Sequence, residues 1–222
     1  MRLILIRHGQ TPSNVAGFLD TAIPGADLSD LGREQAAAIP SALQGERIDA
    51  VYASTAARAQ QTAAPLAAAI GHDVILRDGL REIHAGDNEM RNDMPAVEVY
   101  MHAIVTWARG DMEHRMPGGE SGTEVFDRFD TVIEEIAMSG LETVVVVSHG
   151  AMLRTWVGLR STNVDAAFVA AHPITNTGVL VVTGSPADGW TVESWSGDAG
   201  GGLDLTETAA DGPAAEVTSR GF

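Results

Sequence analysis

The sequence contains no cysteine and no lysine. Without thiols, disulfides, cysteine-ligated zinc or iron–sulfur centres and cysteine-dependent phosphatases and proteases are excluded. Without lysine, Schiff-base chemistry, a lysine general base and the P-loop, whose lysine grips terminal phosphates, are excluded as well. No apolar run approaches the roughly 20 residues of a membrane span. The N-terminal stretch Leu3-Ile4-Leu5-Ile6 turns polar at Arg7, too soon for the core of a secretory signal. The expectation is a cytoplasmic protein with no membrane partner. Positive charge is also scarce: 14 arginines face 30 acidic residues, a formal net charge of −16. Such a balance disfavours nucleic acid and other extended polyanions, but it leaves room for a small anion where a few arginines converge. Any catalysis has to come from His, Ser, Asp, Glu and Arg.

The 222 residues suit one domain of ordinary size, with enough chain to bury a core without staples. Short branched apolar runs at 3–6, 50–53, 144–147 and 179–182 predict buried strands, and 73–76 is a weaker candidate. Between them, apolar residues recur at helical spacing over 30–43, 56–70, 95–109 and 124–138, with a shorter helix from Ala151. Ser29, Asp30 and Ser54 stand where helix caps belong, and Gly71 and Gly140 where helices end. Strands alternating with helices predict an α/β fold, a three-layer α/β/α sandwich on a mainly parallel sheet. The domain is expected over residues 1–195, with a lid or insertion region at about 86–120. Residues 196–222, Gly-rich and acidic, read as a C-terminal tail. Five of the eight methionines fall between residues 90 and 116, fitting either an adaptable substrate mouth or a helix packed on the core.

Two predicted strands end alike, in Arg7-His8-Gly9 and in Ser148-His149-Gly150. Ligands in open α/β sheets bind beyond the carboxyl ends of strands, so both histidines are expected on one rim. A third strand ends at Ser54, and the helix that follows carries Arg58 in its first turn, where the helix N-terminus adds its own partial positive charge. Two guanidinium groups and two imidazoles suit a tetrahedral dianion, phosphate above all, and arginine forks match its oxygens. With cysteine and lysine absent, the covalent nucleophile is an imidazole nitrogen, and His8, beside Arg7, is the better candidate.

Arg7-His8-Gly9-Gln10-Thr11 with Asn14 resembles the signature of the histidine phosphatase superfamily, whose fold is phosphoglycerate mutase-like. Leu28-Ser29 through Gly32 to Gln35-Ala36, Ser54 through Arg58 to Thr62-Ala63, Leu80-Arg81-Glu82, Pro117 to Ser121 and Val147 to Gly150 are similar to further family segments, in family order. The resemblance implies phosphomonoester hydrolysis through a phosphohistidine on His8, without a metal or other cofactor, on a small phosphorylated metabolite. Arg7, Asn14, Arg58 and His149 would bind the phosphoryl oxygens, Glu82 would be the proton donor, and Gln10, Thr11, His84 and Ala151 are secondary candidates. The segment after Glu82 departs from the family's Gly-x-Trp-Glu-Gly, reading Gly86-Asp87-Asn88-Glu89-Met90, so Asp87 and Glu89 compete with Glu82 for the acid's task. Two alternatives stand beside the phosphatase: a phosphoglycerate-type mutase, disfavoured by the missing lysines, and a phosphoryl-binding module without turnover. No metal-ligand spacing is present, and Gly119-Glu120-Ser121-Gly122-Thr123 fails as a serine nucleophile elbow.

Overall fold

The computed structural model describes residues 1–199. Six strands, β1 (Arg2–Arg7), β2 (Ala50–Ala53), β3 (Val74–Leu76), β4 (Thr143–Ser148), β5 (Gly178–Ser185) and β6 (Gly189–Ala199), form one sheet in the order β3-β2-β4-β1-β5-β6. The four strands from β3 to β1 pair in parallel, and β5 and β6 complete one edge in antiparallel fashion. Seven helices join them among the described residues: α1 (Pro12–Ala16), α2 (Asp30–Ala42), α3 (Ala57–Ile70), α4 (Met94–Ala108), α5 (Gly122–Met138), α6 (Gly150–Arg160) and α7 (Ala166–Ala171).

The period of two along the strands divides the core in half. Ile4, Ile6, Val51, Ala53, Val145 and Val147 point to one face and pack on Ile39 of α2 and on Ala59, Ala63 and Leu66 of α3. Leu3, Leu5, Tyr52, Val144 and Val146 point the other way, onto Trp107 of α4, Phe126 and Phe129 of α5 and Trp156 of α6. All four aromatics are almost fully buried, and truncating one to Ala should cost about 3–5 kcal/mol. The three layers are those expected from the alternation of strands and helices. Ser29 caps α2 through Gly32 N–H, and Ser121 caps α5 in a reciprocal box with Glu124.

Strand β6 is not among the predicted elements. Its pairing with β5 slips at two places, which breaks the alternation a strand would show in sequence. It also runs through residues 196–199, which the composition assigned to the tail; the remainder of that predicted tail, 200–222, lies outside the described residues. No described helix is long and apolar enough to cross a membrane.

Candidate active site

Strand register brings the two histidines together. β1 and β4 are neighbours with Arg7 opposite Ser148, and the ladder continues one step as His8 N–H donates to Ser148 O at 2.9 Å. His8 and His149 therefore leave adjacent strands side by side, their rings 5.2 Å apart and edge to face. On the other side of β4, Ser54 N–H donates to Val147 O at 3.0 Å, so the loop into α3 delivers Arg58 to the same rim. Close approach explains two of the glycines: a Cβ on Gly9 would lie 2.7 Å from Gly32 O, and one on Gly150 would lie 3.1 Å from Arg7 Nε.

His8 is buried and its hydrogen bonds fix its tautomer. Nδ1 lies 2.7 Å from Gly9 O, an acceptor only, so Nδ1 carries the proton. Nε2 accordingly keeps its lone pair and accepts from Arg58 Nε at 3.2 Å. Burial first, then the charges of Arg58 and Arg7, push its pKa well below the ordinary histidine range, which holds the ring neutral, the state a nucleophilic imidazole needs. His149 is also held neutral, chiefly by burial and by Arg58. Its Nε2 meets Ser54 Oγ at 2.9 Å, while its Nδ1 is buried without a hydrogen-bond partner.

The cations have fixed anchors. Arg7 donates through Nη1 to Ile174 O at 2.7 Å, and Arg58 through Nη2 to Asp20 O at 3.0 Å. Arg58 Nη1 is buried, has no hydrogen-bond partner and stands 3.9 Å from Asp20 Oδ1. Burial lowers the pKa of Arg58, but a guanidinium stays charged at any working pH. A buried donor without a partner costs about 1–3 kcal/mol. Arg58 Nη1 thus identifies a place where an oxyanion would supply the acceptor, and so does His149 Nδ1 in the tautomer in which Ser54 Oγ donates to Nε2.

Thr11 and Asn14 form a capping box at the start of α1: Thr11 Oγ1 accepts from Asn14 N–H, and Asn14 Oδ1 accepts from Thr11 N–H at 3.0 Å. Asn14 Oδ1 also accepts from Asn176 Nδ2 at 3.2 Å, which leaves the Asn14 amide NH2 to face the pocket. Glu82 docks on the N-terminus of α6. Its Oε1 accepts from Met152 and Ile83 N–H, each at 2.9 Å, and its Oε2 accepts from Ala151 N–H at 3.2 Å. Withdrawal from bulk water nevertheless outweighs those amides and Arg58, and its pKa is raised.

Arg7, His8, Thr11, Asn14, Arg58, Glu82 and Ala151 line one cavity of about 80 Å3, and His149 stands behind it against His8. Four candidates fall elsewhere. Gln10 turns into the core, where its Oε1 accepts from Ser29 Oγ at 2.6 Å and ties the His8 loop to α2. His84 accepts from Gly86 N–H at 2.9 Å and shapes the acid's loop from outside the cavity. Glu89 is no rival to Glu82: it accepts from Thr21 and Ala22 N–H and from the Thr21 hydroxyl, while Asp87 is exposed.

Sequence reasoning missed Asp20, Thr21, Tyr100, Arg154 and Ile174 as lining residues, and Arg128 as a support. Arg128 donates from Nη1 to the carbonyls of Gly79 and Arg81, each at 2.8 Å, and from Nη2 to that of Glu82 at 2.9 Å. Glu120 in turn accepts from Arg128 Nε at 2.8 Å. Arg128 and Tyr100 sit within amphipathic helices, where nothing in the spacing separates a site residue from a packing one. Among the described residues, no group of three His, Asp or Glu side chains is arranged to hold a metal ion.

Residues 3–198 match the family model described as histidine phosphatase superfamily (branch 1). The chain is 36% identical to a PE-PGRS family protein, PE_PGRS11, of Mycobacterium tuberculosis, over 86% of this chain but only 36% of that protein, so it spans about a third of that relative's length. It is 32% identical to a glucosyl-3-phosphoglycerate phosphatase of Mycolicibacterium vanbaalenii, covering 95% of this chain and 87% of that one. The solved structure of a mycobacterial glucosyl-3-phosphoglycerate phosphatase with VO3 superposes with a TM-score of 0.72 at 27% identity, over 88% of this chain and 98% of that one.

Proposed function

Because this chain belongs to the histidine phosphatase superfamily, we propose that it hydrolyses small phosphomonoesters through a covalent phosphohistidine on His8. The observation that carries the reading is the state of His8: neutral, with its Nε2 lone pair directed at Arg58 and buried donors of Arg58 and His149 beside it. A phosphoryl group entering the cavity would exchange the Arg58–His8 hydrogen bond for Arg58–oxygen contacts and accept a hydrogen bond from His149 Nδ1–H, with Ser54 Oγ donating to His149 Nε2. Asn14 Nδ2 and Arg7 would complete the cradle. These donors are strongest where charge gathers on the equatorial oxygens in the transition state.

His8 Nε2 attacks phosphorus in line as the P–O ester bond breaks, and protonated Glu82 passes its proton to the leaving alkoxide. In the second step Glu82, now a carboxylate, takes a proton from water; the resulting oxygen nucleophile attacks phosphorus, the P–N bond breaks and phosphate leaves. Its raised pKa suits the first half of that cycle. The net charge of −16 supports a small substrate over an extended polyanion. A glucosyl-phosphoglycerate phosphatase among the relatives supports a small phosphorylated metabolite.

The test is phosphate release from a panel of phosphomonoesters between pH 5 and 7 by the native protein, His8→Ala and Glu82→Gln, with acid quenching of the labelled enzyme. Phosphate release abolished by His8→Ala, with an acid-labile adduct, is expected. Isomerised phosphoesters without free phosphate would mean a mutase, binding without turnover a non-catalytic module, and an acid-stable adduct would remove His8 as the nucleophile.

A further inference from the structure

The phosphoryl cavity is small, about 80 Å3. A second, larger hollow of about 650 Å3 opens beside it. Its walls are helices: α4 contributes Ile104 and Val105, α6 Leu159, and α7 Ala167 and Val169. Ala151 and Arg154, in the first two turns of α6, line both spaces, so the two adjoin there. Arg154 also donates to Val169 O at 2.7 Å, tying α7 to α6 at the junction.

The position of that junction matters because the acid stands there. Glu82 Oε2 accepts from the amide of Ala151, the residue shared by the two hollows. The oxygen that a general acid protonates is the one joining phosphorus to the organic half of the ester. A substrate held by its phosphoryl group at His8 and protonated from Glu82 would therefore send its organic half past Ala151 into the larger hollow. The hollow runs from Ala151 to Leu159 along α6, eight residue steps and so about 12 Å of helix. Across all its walls the lining side chains are mostly aliphatic, with Thr155 of α6 as a polar exception and Arg154 and Arg109 as its cations.

The geometry points to phosphomonoesters of apolar alcohols as the preferred substrate class, the chain or ring body lying in the hollow between α4, α6 and α7. This rests on the phosphatase reading and adds the identity of the organic half. Burying a methylene in an apolar site is worth about fourfold in affinity. A compact polar ester would leave the hollow filled with water and gain nothing from it.

The experiment is a chain-length series of ethyl, butyl, hexyl and octyl phosphate, each below its micelle concentration, with kcat/KM measured for the native protein, Ala167→Trp and Ala108→Glu. Both alanines line the hollow and are exposed, so neither change disturbs the core. We expect kcat/KM to climb about two- to fourfold per methylene from butyl to octyl phosphate, chiefly through KM. Each variant should cut the octyl-to-ethyl ratio at least tenfold. A flat series, with phosphate released from every member and lost in His8→Ala, would overturn this inference and leave the phosphatase reading intact. A flat series with a dimer that Ala167→Trp dissociates would overturn it in favour of a second copy of the chain as the occupant. No release from any member would remove the phosphatase reading, and this inference with it.

Discussion

Arg58 donates from Nε to Nε2 of His8 at 3.2 Å, and a second arm of the same guanidinium is anchored on the carbonyl of Asp20. In the proposed mechanism one residue would thus hold the nucleophile's lone pair before substrate arrives and offer its buried Nη1 to the phosphoryl group afterwards. Its position depends on the α3 N-terminus lying against β4, so the fold itself aims the cation.

From this follows the first prediction. Arg58→Ala should reduce kcat/KM by on the order of 10³, by analogy with arginines elsewhere in phosphoryl transfer. Arg58→Lys should recover little of it, because an ammonium cannot reach Nε2 of His8, an equatorial oxygen and Asp20 O from one rigid fork. Steady-state kinetics on both variants check this, and a Lys variant within tenfold of the native protein would refute it.

A second prediction concerns Glu82 as the proton donor. Glu82→Gln keeps an acceptor for the α6 amides but has no proton to give. For alkyl esters, whose alkoxides leave poorly, the loss should be about 10²–10⁴. For 4-nitrophenyl phosphate, whose phenolate leaves without help, formation of the phosphoenzyme should be nearly unaffected. Rapid-quench measurement of adduct formation across esters of graded leaving-group pKa gives the slope, which should steepen in the variant. In the native protein the same proton sets the alkaline limb of the rate profile, displaced upward from the ordinary carboxyl range because the Glu82 pKa is raised.

The sequence made the sheet and the gathering of Arg7, His8, Arg58 and His149 legible because both rest on local signals. Strand ends at Arg7 and Ser148 and the helix start before Arg58 are readable from composition, and register then brings them together. The acid's support was not legible. Glu120, Arg128 and the carbonyls of 79–82 meet only through tertiary packing of α5 against the loop, and an arginine on an amphipathic helix reads as a solvated face. Gln10 illustrates the opposite error: it lies inside the signature yet turns away from the cavity to bind Ser29. The hollow beside the site escaped for a third reason, since α7 contains only Ala, Phe and Val and carries no chemical mark.

Arg128 supplies a third prediction. It spans the carbonyls of Gly79, Arg81 and Glu82 and so holds the loop that carries the proposed acid. Arg128→Lys keeps the charge beside Glu120 but cannot bridge three carbonyls. We expect kcat on alkyl phosphates to fall about 10- to 100-fold with KM little changed, within the range for a misplaced catalytic group, and a leaving-group slope intermediate between the native protein and Glu82→Gln. A role in stability alone would lower Tm without altering that slope, so the two measurements together decide the matter.

The pH dependence of stability provides the fourth. His8 and His149 are both held neutral in the folded protein, with pKa values well below those they regain on unfolding. The unfolded chain therefore binds more protons than the folded one wherever pH lies below about 6.5, and stability rises with pH there. Above that range the contribution is fully present. As pH falls through about 6.5 it is lost at a rate approaching about 1.4 kcal/mol per unit for each ring until the folded ring itself protonates. Glu82 acts in the opposite sense, since its folded pKa is raised: the folded protein retains that proton longer, which offsets part of the loss on the acid side. Denaturant titrations between pH 4.5 and 7.5 should give a ΔG that falls toward acid with a slope exceeding that of one group. His149→Gln should remove about half of it, and an unchanged slope in that variant would mean that His149 is protonated in the folded state. A bound phosphate analogue should steepen the dependence near the pH at which it becomes a dianion, because the buried donors of Arg58 and His149 then gain their acceptor.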